Sequence, residues 1–211
     1  MEDKNWKKGV LSASKEKMFE ISKLSYNNAK NLIESADLLI SESKYSLAIS
    51  LRILAIEELV KSLALLIESQ GFNKRKEMKG FGGFFTSHDT KLKFCSQFYF
   101  NVGFLQITLN SNGILSLLEK SEIHIEELHE LTEWLLNADD LKQRGFYVGY
   151  SDVSKKIIDP EECDLDNLKK SQIITSNLLT TSEMIFSKLD SEEVKEFINY
   201  LSYNFIDDIL K

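Results

Sequence analysis

The chain has 211 residues, of which 43% are hydrophobic and 28% are charged, a balance typical of a globular protein with one substantial core. Its formal net charge of −7 argues against broad electrostatic attraction to nucleic acid. One proline and nine glycines leave few breaks, which favours long helices over a sandwich of short strands. We therefore expect a single all-α domain over residues 1–211.

The N-terminal residues 1–10 are polar and carry lysines, and they lack an apolar core of signal-peptide length. The longest apolar run, residues 45–67, contains four charged residues, which favours a buried helix over a membrane span. We therefore expect a cytoplasmic protein with no membrane partner.

The first half of the chain predicts a pair of antiparallel helices. Ser14 can cap a first helix whose apolar residues recur at intervals of three and four up to Ile40. A short polar joint around Ser43 leads into the second helix, which Gly71 ends. Residues 72–87 then form a predicted loop with four basic residues and a cluster of glycines and phenylalanines.

The second half predicts four further helices. Ser87 can cap the third helix, and a turn follows at residues 110–113. We expect a fourth, acidic helix over residues 123–142 that Gly145 stops, and then a short extended segment over residues 146–150. Two C-terminal helices are expected, one starting at Asp159 and Pro160 and the last starting at Asp190 or Ser191.

The charges within the second helix separate into two groups on a helical wheel of about 100° per residue. Glu57 and Lys61 fall in one polar stripe and are spaced to pair at i,i+4. Glu58 is flanked by leucines, so we expect its carboxylate to point into packed surroundings, where it needs a partner or a proton. Two roles remain open for Glu58: it accepts hydrogen bonds from a neighbouring helix, or it orients a catalytic or ligand-binding cation.

Several of these segments share a resemblance. Residues 48–61, AISLRILAIEELVK, resemble the signature helix of the AbiV group of abortive-infection proteins, a branch of the HEPN superfamily. His88 and Lys91, in SHDTKL, resemble the His-x-x-Lys element of that group, and residues 141–148, LKQRGFYV, resemble its Tyr-Val segment. The resemblance covers roughly residues 27–151.

The resemblance implies a HEPN-like helical bundle over residues 14–151, with residues 159–211 as additional C-terminal helices. It also implies a homodimer that acts in bacterial defence against phage by halting growth or translation of the infected cell, with a phage-encoded protein as activator. Many HEPN proteins are metal-independent ribonucleases with an Arg-x4-6-His motif. No arginine and histidine of this chain have that order and spacing, so the chain departs from the usual nuclease pattern.

A non-standard site remains a hypothesis for RNA cleavage, which needs a base, a cation for the developing phosphate charge, and an acid. His88 is the candidate base, because the positive end of the third helix favours its neutral imidazole. Lys91 lies one turn further on the same face, and Arg144 with Tyr147 can supply a phosphate clamp and a hydroxyl donor. The alternatives are a capping or core role for His88, a helix-end contact for Arg144 and a packed aromatic ring for Tyr147.

Metal binding is not expected. His124 and His129 are five residues apart, which places them about 140° apart on a helix, unsuitable for shared ligation. Cys95 and Cys163 are isolated and have no metal-ligand spacing. We therefore expect neither a metal nor another cofactor.

Two function classes remain open. One is an effector that cleaves RNA or otherwise blocks translation once a phage component is sensed. The other is a non-catalytic HEPN-like interaction module, in which the polar residues of the second and third helices only hold the bundle or the dimer together. The basic clusters and His88 favour the first class, whereas the acidic net charge and the missing motif favour the second.

We expect a dimer on physical grounds too, because the second and last helices carry more apolar surface than one small bundle readily covers.

Overall fold

In a computed structural model of the protein, the described residues are 9–71, 88–110, 124–151, 156–160 and 164–207. They form seven α-helices, a 3₁₀ helix at Val10–Ser12 and one hairpin of two short strands, so the expected all-α class is confirmed. The helices are α1 (Lys15–Ser41), α2 (Tyr45–Ser69), α3 (His88–Asn110), α4 (Ile125–Leu136), α5 (Ala138–Phe146), α6 (Leu165–Ser187) and α7 (Glu192–Asp207).

Some predicted features lie outside the described residues. They are the basic and glycine-rich loop of residues 72–87 with its capping Ser87, the turn residues 111–113, and Cys163.

Helices α1 and α2 form the predicted hairpin. The hydroxyl of Ser14 caps α1 by accepting a hydrogen bond from the backbone N–H of Lys17 at 3.3 Å. The connection turns at Ser43, whose φ of 59° lies in the left-handed region. The face of α1 that α2 covers is made largely of serine and alanine, and these small side chains allow close approach. Ser62 uses this proximity to donate a hydrogen bond to the backbone oxygen of Ser22 at 2.8 Å.

Helix α2 is the centre of the bundle, because α1, α3, α5 and α6 all pack against it. The helix is buried on most of its sides, which is why this segment is so apolar. One partly exposed stripe remains, formed by Leu47, Leu51, Leu54, Glu58 and Lys61. The dimer remains a prediction.

The predicted single helix over residues 123–142 is instead two helices, α4 and α5, that meet at Asn137. The break has a packing cause, since α4 lies against α3 whereas α5 lies against α2. The prediction that Gly145 stops the helix is also wrong, because α5 continues to Phe146. Gly145 is needed for close packing: a Cβ at this position would overlap the backbone oxygen of Ser46 and the hydroxyl of Ser50.

The C-terminal part begins with an antiparallel hairpin of β1 (Gly149–Ser151) and β2 (Lys156–Ile158), which partly overlaps the segment expected to be extended. The predicted helix start at Pro160 is wrong. Helix α6 begins at Leu165, where the side chain of Asp164 accepts a hydrogen bond from the N–H of Asp166 at 3.0 Å. The predicted start of the last helix is confirmed: the Ser191 hydroxyl accepts from the N–H of Val194 at 3.3 Å.

None of the helices in the described ranges is long and apolar enough to cross a membrane.

The contact at Gly145 makes a stability prediction. Replacing a glycine by alanine inside a helix normally stabilises it by about 1 kcal/mol. For Gly145→Ala we expect the opposite, a loss of about 1–3 kcal/mol, because α5 must move away from α2 to admit the new methyl group. Thermal unfolding followed by circular dichroism measures this. Gly9→Ala is the control, because a Cβ at Gly9 meets no atom within 4 Å. An unchanged or raised Tm for Gly145→Ala would contradict this packing.

Candidate functional site

A buried carboxylate, that of Glu57, lies in the middle of α2 and is contacted by two lysines from two other helices. Its side chain is only 6% exposed. The Nζ of Lys142, from α5, lies 2.8 Å from Oε1 of Glu57, and the Nζ of Lys91, from α3, lies 3.3 Å from Oε2. The two oxygens of one carboxylate therefore hold α3 and α5 against α2.

Lys142 is the most shielded cation of this group, with a side chain that is 5% exposed. Its ammonium also lies 2.8 Å from Oδ1 of Asp139, one turn earlier on α5. The backbone of α5 is fixed here too, because Ser50 donates a hydrogen bond to the backbone oxygen of Lys142 at 2.9 Å. We call Glu57, Lys91, Lys142 and Asp139 the ion cluster. Its two lysines and two carboxylates balance in charge.

Lys142 keeps its charge despite its burial. Burial on its own lowers the pKa of the Lys142 ammonium, but the contacts with Asp139 and Glu57 outweigh burial and raise that pKa above its usual value. Cys95, on α3, lies within the influence of the same charges. Burial raises the pKa of the Cys95 thiol well above its usual value, and the negative charge of Glu57 raises it further, while Lys91 and Lys142 oppose this effect. The thiol therefore stays protonated, as a packed core cysteine does.

The prediction that Glu58 is the buried glutamate and that Glu57 pairs with Lys61 is wrong. Glu57 faces the core, and Glu58 pairs with Lys61 at 2.5 Å on the partly exposed stripe of α2. The error has a physical cause: Leu47, Leu51 and Leu54, which lie beside Glu58 on the wheel, belong to that partly exposed stripe, so an apolar neighbourhood on the wheel does not mark the buried face here.

The four candidate catalytic residues are not gathered at one point by any contact among the described side chains. His88 is the first residue of α3, and its side chain lies outside the described part of the structure. Lys91 belongs to the ion cluster. Arg144 pairs with Asp140 at 2.5 Å on an exposed face of α5, and Tyr147 follows the end of α5 with its ring stacked edge-on against Phe146.

Sequence reasoning missed Lys142 and Asp139 as site residues. A signal was present, because Ala138 and Gly145 flank Lys142 at spacings of four and three, which places it between two small residues on the buried face of α5. The signal is weak on its own, since lysine is rarely buried unless it is paired.

A second buried cation, Arg52, connects three helices elsewhere on α2. Its guanidinium donates to the hydroxyl of Thr175 on α6 at 2.6 Å and pairs with the carboxylate of Asp37 on α1. Burial lowers the pKa of Arg52, while Asp37 opposes that shift, so arginine remains charged here. Because Arg52 and Glu57 are five residues apart, they point about 140° apart around α2. Arg52 is therefore a separate structural tie.

A surface cleft of about 400 Å³ lies beside the turn between α1 and α2, with Ser43, Lys44, Tyr45, Gly145 and Pro160 among its lining residues. The ion cluster does not line it.

Within the described ranges, no group of three or more histidine, cysteine, aspartate or glutamate side chains is arranged to hold a metal ion.

The all-α bundle around one apolar central helix fits the HEPN-like architecture that the sequence resemblance implies, and comparison with known families agrees. The AbiV family model, a HEPN family, matches residues 17–181. The chain therefore belongs to the AbiV family. The match begins in α1 and reaches into α6, so it includes every member of the ion cluster. No curated protein and no solved structure matches the chain.

The assignment of the buried glutamate is tested by one pair of substitutions. Glu57→Gln leaves Lys142 and Lys91 without their shared counter-charge, and we expect a loss of about 3 kcal/mol in the free energy of unfolding. Glu58→Gln, one residue further on the same helix, removes only a partly exposed ion pair, and we expect a loss of at most about 1 kcal/mol. Urea unfolding measures both. Equal losses, or a larger loss for Glu58→Gln, would show that the structure assigns the two glutamates incorrectly.

Proposed function

We propose that this protein is an abortive-infection effector that halts growth or translation of the infected cell. Membership of the AbiV family carries the proposal, because the match spans most of the chain and most of the helical bundle. Action inside the infected cell and activation by a phage-encoded protein belong to the same proposal.

The first candidate mechanism is metal-independent cleavage of RNA near the start of α3. What supports it is the position of Lys91: it lies one turn after His88, its side chain is 22% exposed, and its ammonium is anchored on a buried carboxylate. In this mechanism His88 takes the proton of the 2′-hydroxyl, and Lys91 stabilises the charge that develops on the phosphate. As the 2′-oxygen bonds to phosphorus and the bond to the 5′-oxygen breaks, Tyr147 would give its hydroxyl proton to that leaving oxygen. Arg144 would clamp the phosphate once released from Asp140.

The second candidate is a non-catalytic interaction module. Two observations favour it. The charges of the ion cluster largely neutralise one another, as in a structural tie between helices. In addition, Tyr147, Val148 and Ile157 are 65%, 75% and 69% exposed around the end of α5 and the hairpin, an apolar surface suited to a protein partner. The partner proposed for such a module is a phage or host protein, and the homodimer is proposed alongside it.

A histidine substitution separates the two mechanisms. If His88 is the base, His88→Ala should abolish growth arrest in bacteria infected with a phage that the wild-type chain restricts. His129→Ala is the matched control, because His129 is exposed on α4 and has no part in the proposed chemistry. Circular dichroism and light scattering should give the same helicity and mass for both variants. Growth arrest that persists in a folded His88→Ala protein removes His88 from the mechanism.

A cleavage assay addresses the chemistry directly. The purified wild-type protein is incubated with total cellular RNA and EDTA, with and without extract of phage-infected cells. RNA fragments that end in a cyclic phosphate and are missing with His88→Ala would support the nuclease. RNA that stays intact in the infected-cell extract, from a protein that arrests growth in cells, would favour the interaction module.

A further inference from the structure

The contacts of Glu57 are unequal, and this inequality points to different roles for its two lysines. Lys142 is held at 2.8 Å by Glu57 and at 2.8 Å by Asp139, and its side chain is almost fully shielded from solvent. Lys91 lies at the longer distance of 3.3 Å, and Glu57 is the one carboxylate that contacts it among the described residues. Its side chain is partly exposed. Lys142 is therefore the tightly bound cation and Lys91 the loosely bound one.

Two cations on one carboxylate compete for the same negative charge. The positive charge of each lysine repels the other lysine, and this repulsion offsets part of the attraction that Glu57 exerts. Asp139 adds negative charge on the Lys142 side of the cluster, and the buried thiol of Cys95 is uncharged. If Lys142 were neutral, Glu57 would act on Lys91 alone and hold its ammonium more strongly.

We propose that Lys142 is a positioning residue for Lys91: by occupying one oxygen of Glu57, it keeps the ammonium of Lys91 in place yet weakly bound and available to an anion. This inference rests on the proposed function, in which that anion is a phosphate group of RNA. Lys142 itself is too deeply buried to touch such a substrate, so it acts through Glu57. Because Lys142 lies on α5, the position of α5 affects how strongly Glu57 holds the ammonium of Lys91 near the start of α3.

The chemical reactivity of Lys91 tests this inference without any assay of RNA cleavage. Only the neutral amine reacts with an acylating reagent, so a more tightly held ammonium reacts more slowly. The folded protein is treated briefly with an amine-acylating reagent at mildly alkaline pH, and mass spectrometry of its peptides gives the rate of modification at Lys91. Lys142→Met should slow this rate roughly tenfold, because Glu57 then holds Lys91 alone. Glu57→Gln should speed it up.

The direction of the change in Lys142→Met excludes simple loosening of the fold, because unfolding exposes Lys91 and accelerates its modification. Lys170→Met is the matched control: Lys170 also lies between two carboxylates, Glu130 and Asp166, but on another part of the surface. It should leave the rate at Lys91 unchanged. A rate at Lys91 that is unchanged or faster in Lys142→Met overturns the inference.

The acylation test of Lys91 can succeed or fail independently of the tests of the proposed function. Slower modification of Lys91 in Lys142→Met supports the positioning role even if RNA stays intact. An unchanged rate at Lys91 overturns the positioning role even if the His88→Ala experiment supports the nuclease.

Discussion

A carboxylate shielded from water needs a cation or a proton, and one such carboxylate is that of Glu57, in the middle of the central helix. No cation on α2 itself meets this need, because Lys61 is engaged by Glu58 and Arg52 points to another side of the helix. The cations come from α3 and α5. The requirement to neutralise one side chain therefore fixes how two further helices lie against α2.

Other features of the fold follow from that requirement. Lys142 reaches Glu57 only if α5 packs closely on α2, and this close approach depends on the absence of a side chain at Gly145. The acidic helix predicted as one piece breaks at Asn137, which allows α4 to cover α3 while α5 turns onto α2. The ion cluster and the break are thus parts of one arrangement.

The sequence predicted what local chemistry determines. Ser14 and Ser191 cap helices because their hydroxyls accept from nearby backbone N–H groups. The sequence predicted Ser14 as a cap and Ser191 as one of two possible starts of the last helix. The partner of Glu57 was not recognised, because Lys142 lies 85 residues away, and the small residues that flank it indicate burial without naming a partner. The helical wheel also predicted Glu58 as the buried glutamate, because apolar residues surround it. On a central helix, however, an apolar stripe is not necessarily the most buried one.

The polar side chains around α2 differ in their exposure to solvent. Glu57 and Lys142 are enclosed and act as supports, whereas Lys91 combines a buried anchor with partial exposure at the start of α3. Arg144 and Tyr147 lie at the exposed end of α5, next to the hairpin. Lys91, Arg144 and Tyr147 thus lie near the ends of helices that the ion cluster holds against α2.

Glu57 and Lys142 depend on each other in the folded protein, and a double-mutant cycle measures that dependence directly. The free energy of unfolding is determined for the wild-type protein, Glu57→Gln, Lys142→Met and the double variant. We expect a coupling energy of about 1–3 kcal/mol, with the double variant more stable than the sum of the single losses predicts, because each single change leaves a buried charge without its partner. Additive losses of stability would contradict this dependence, since they would mean that the two side chains do not interact in the folded protein.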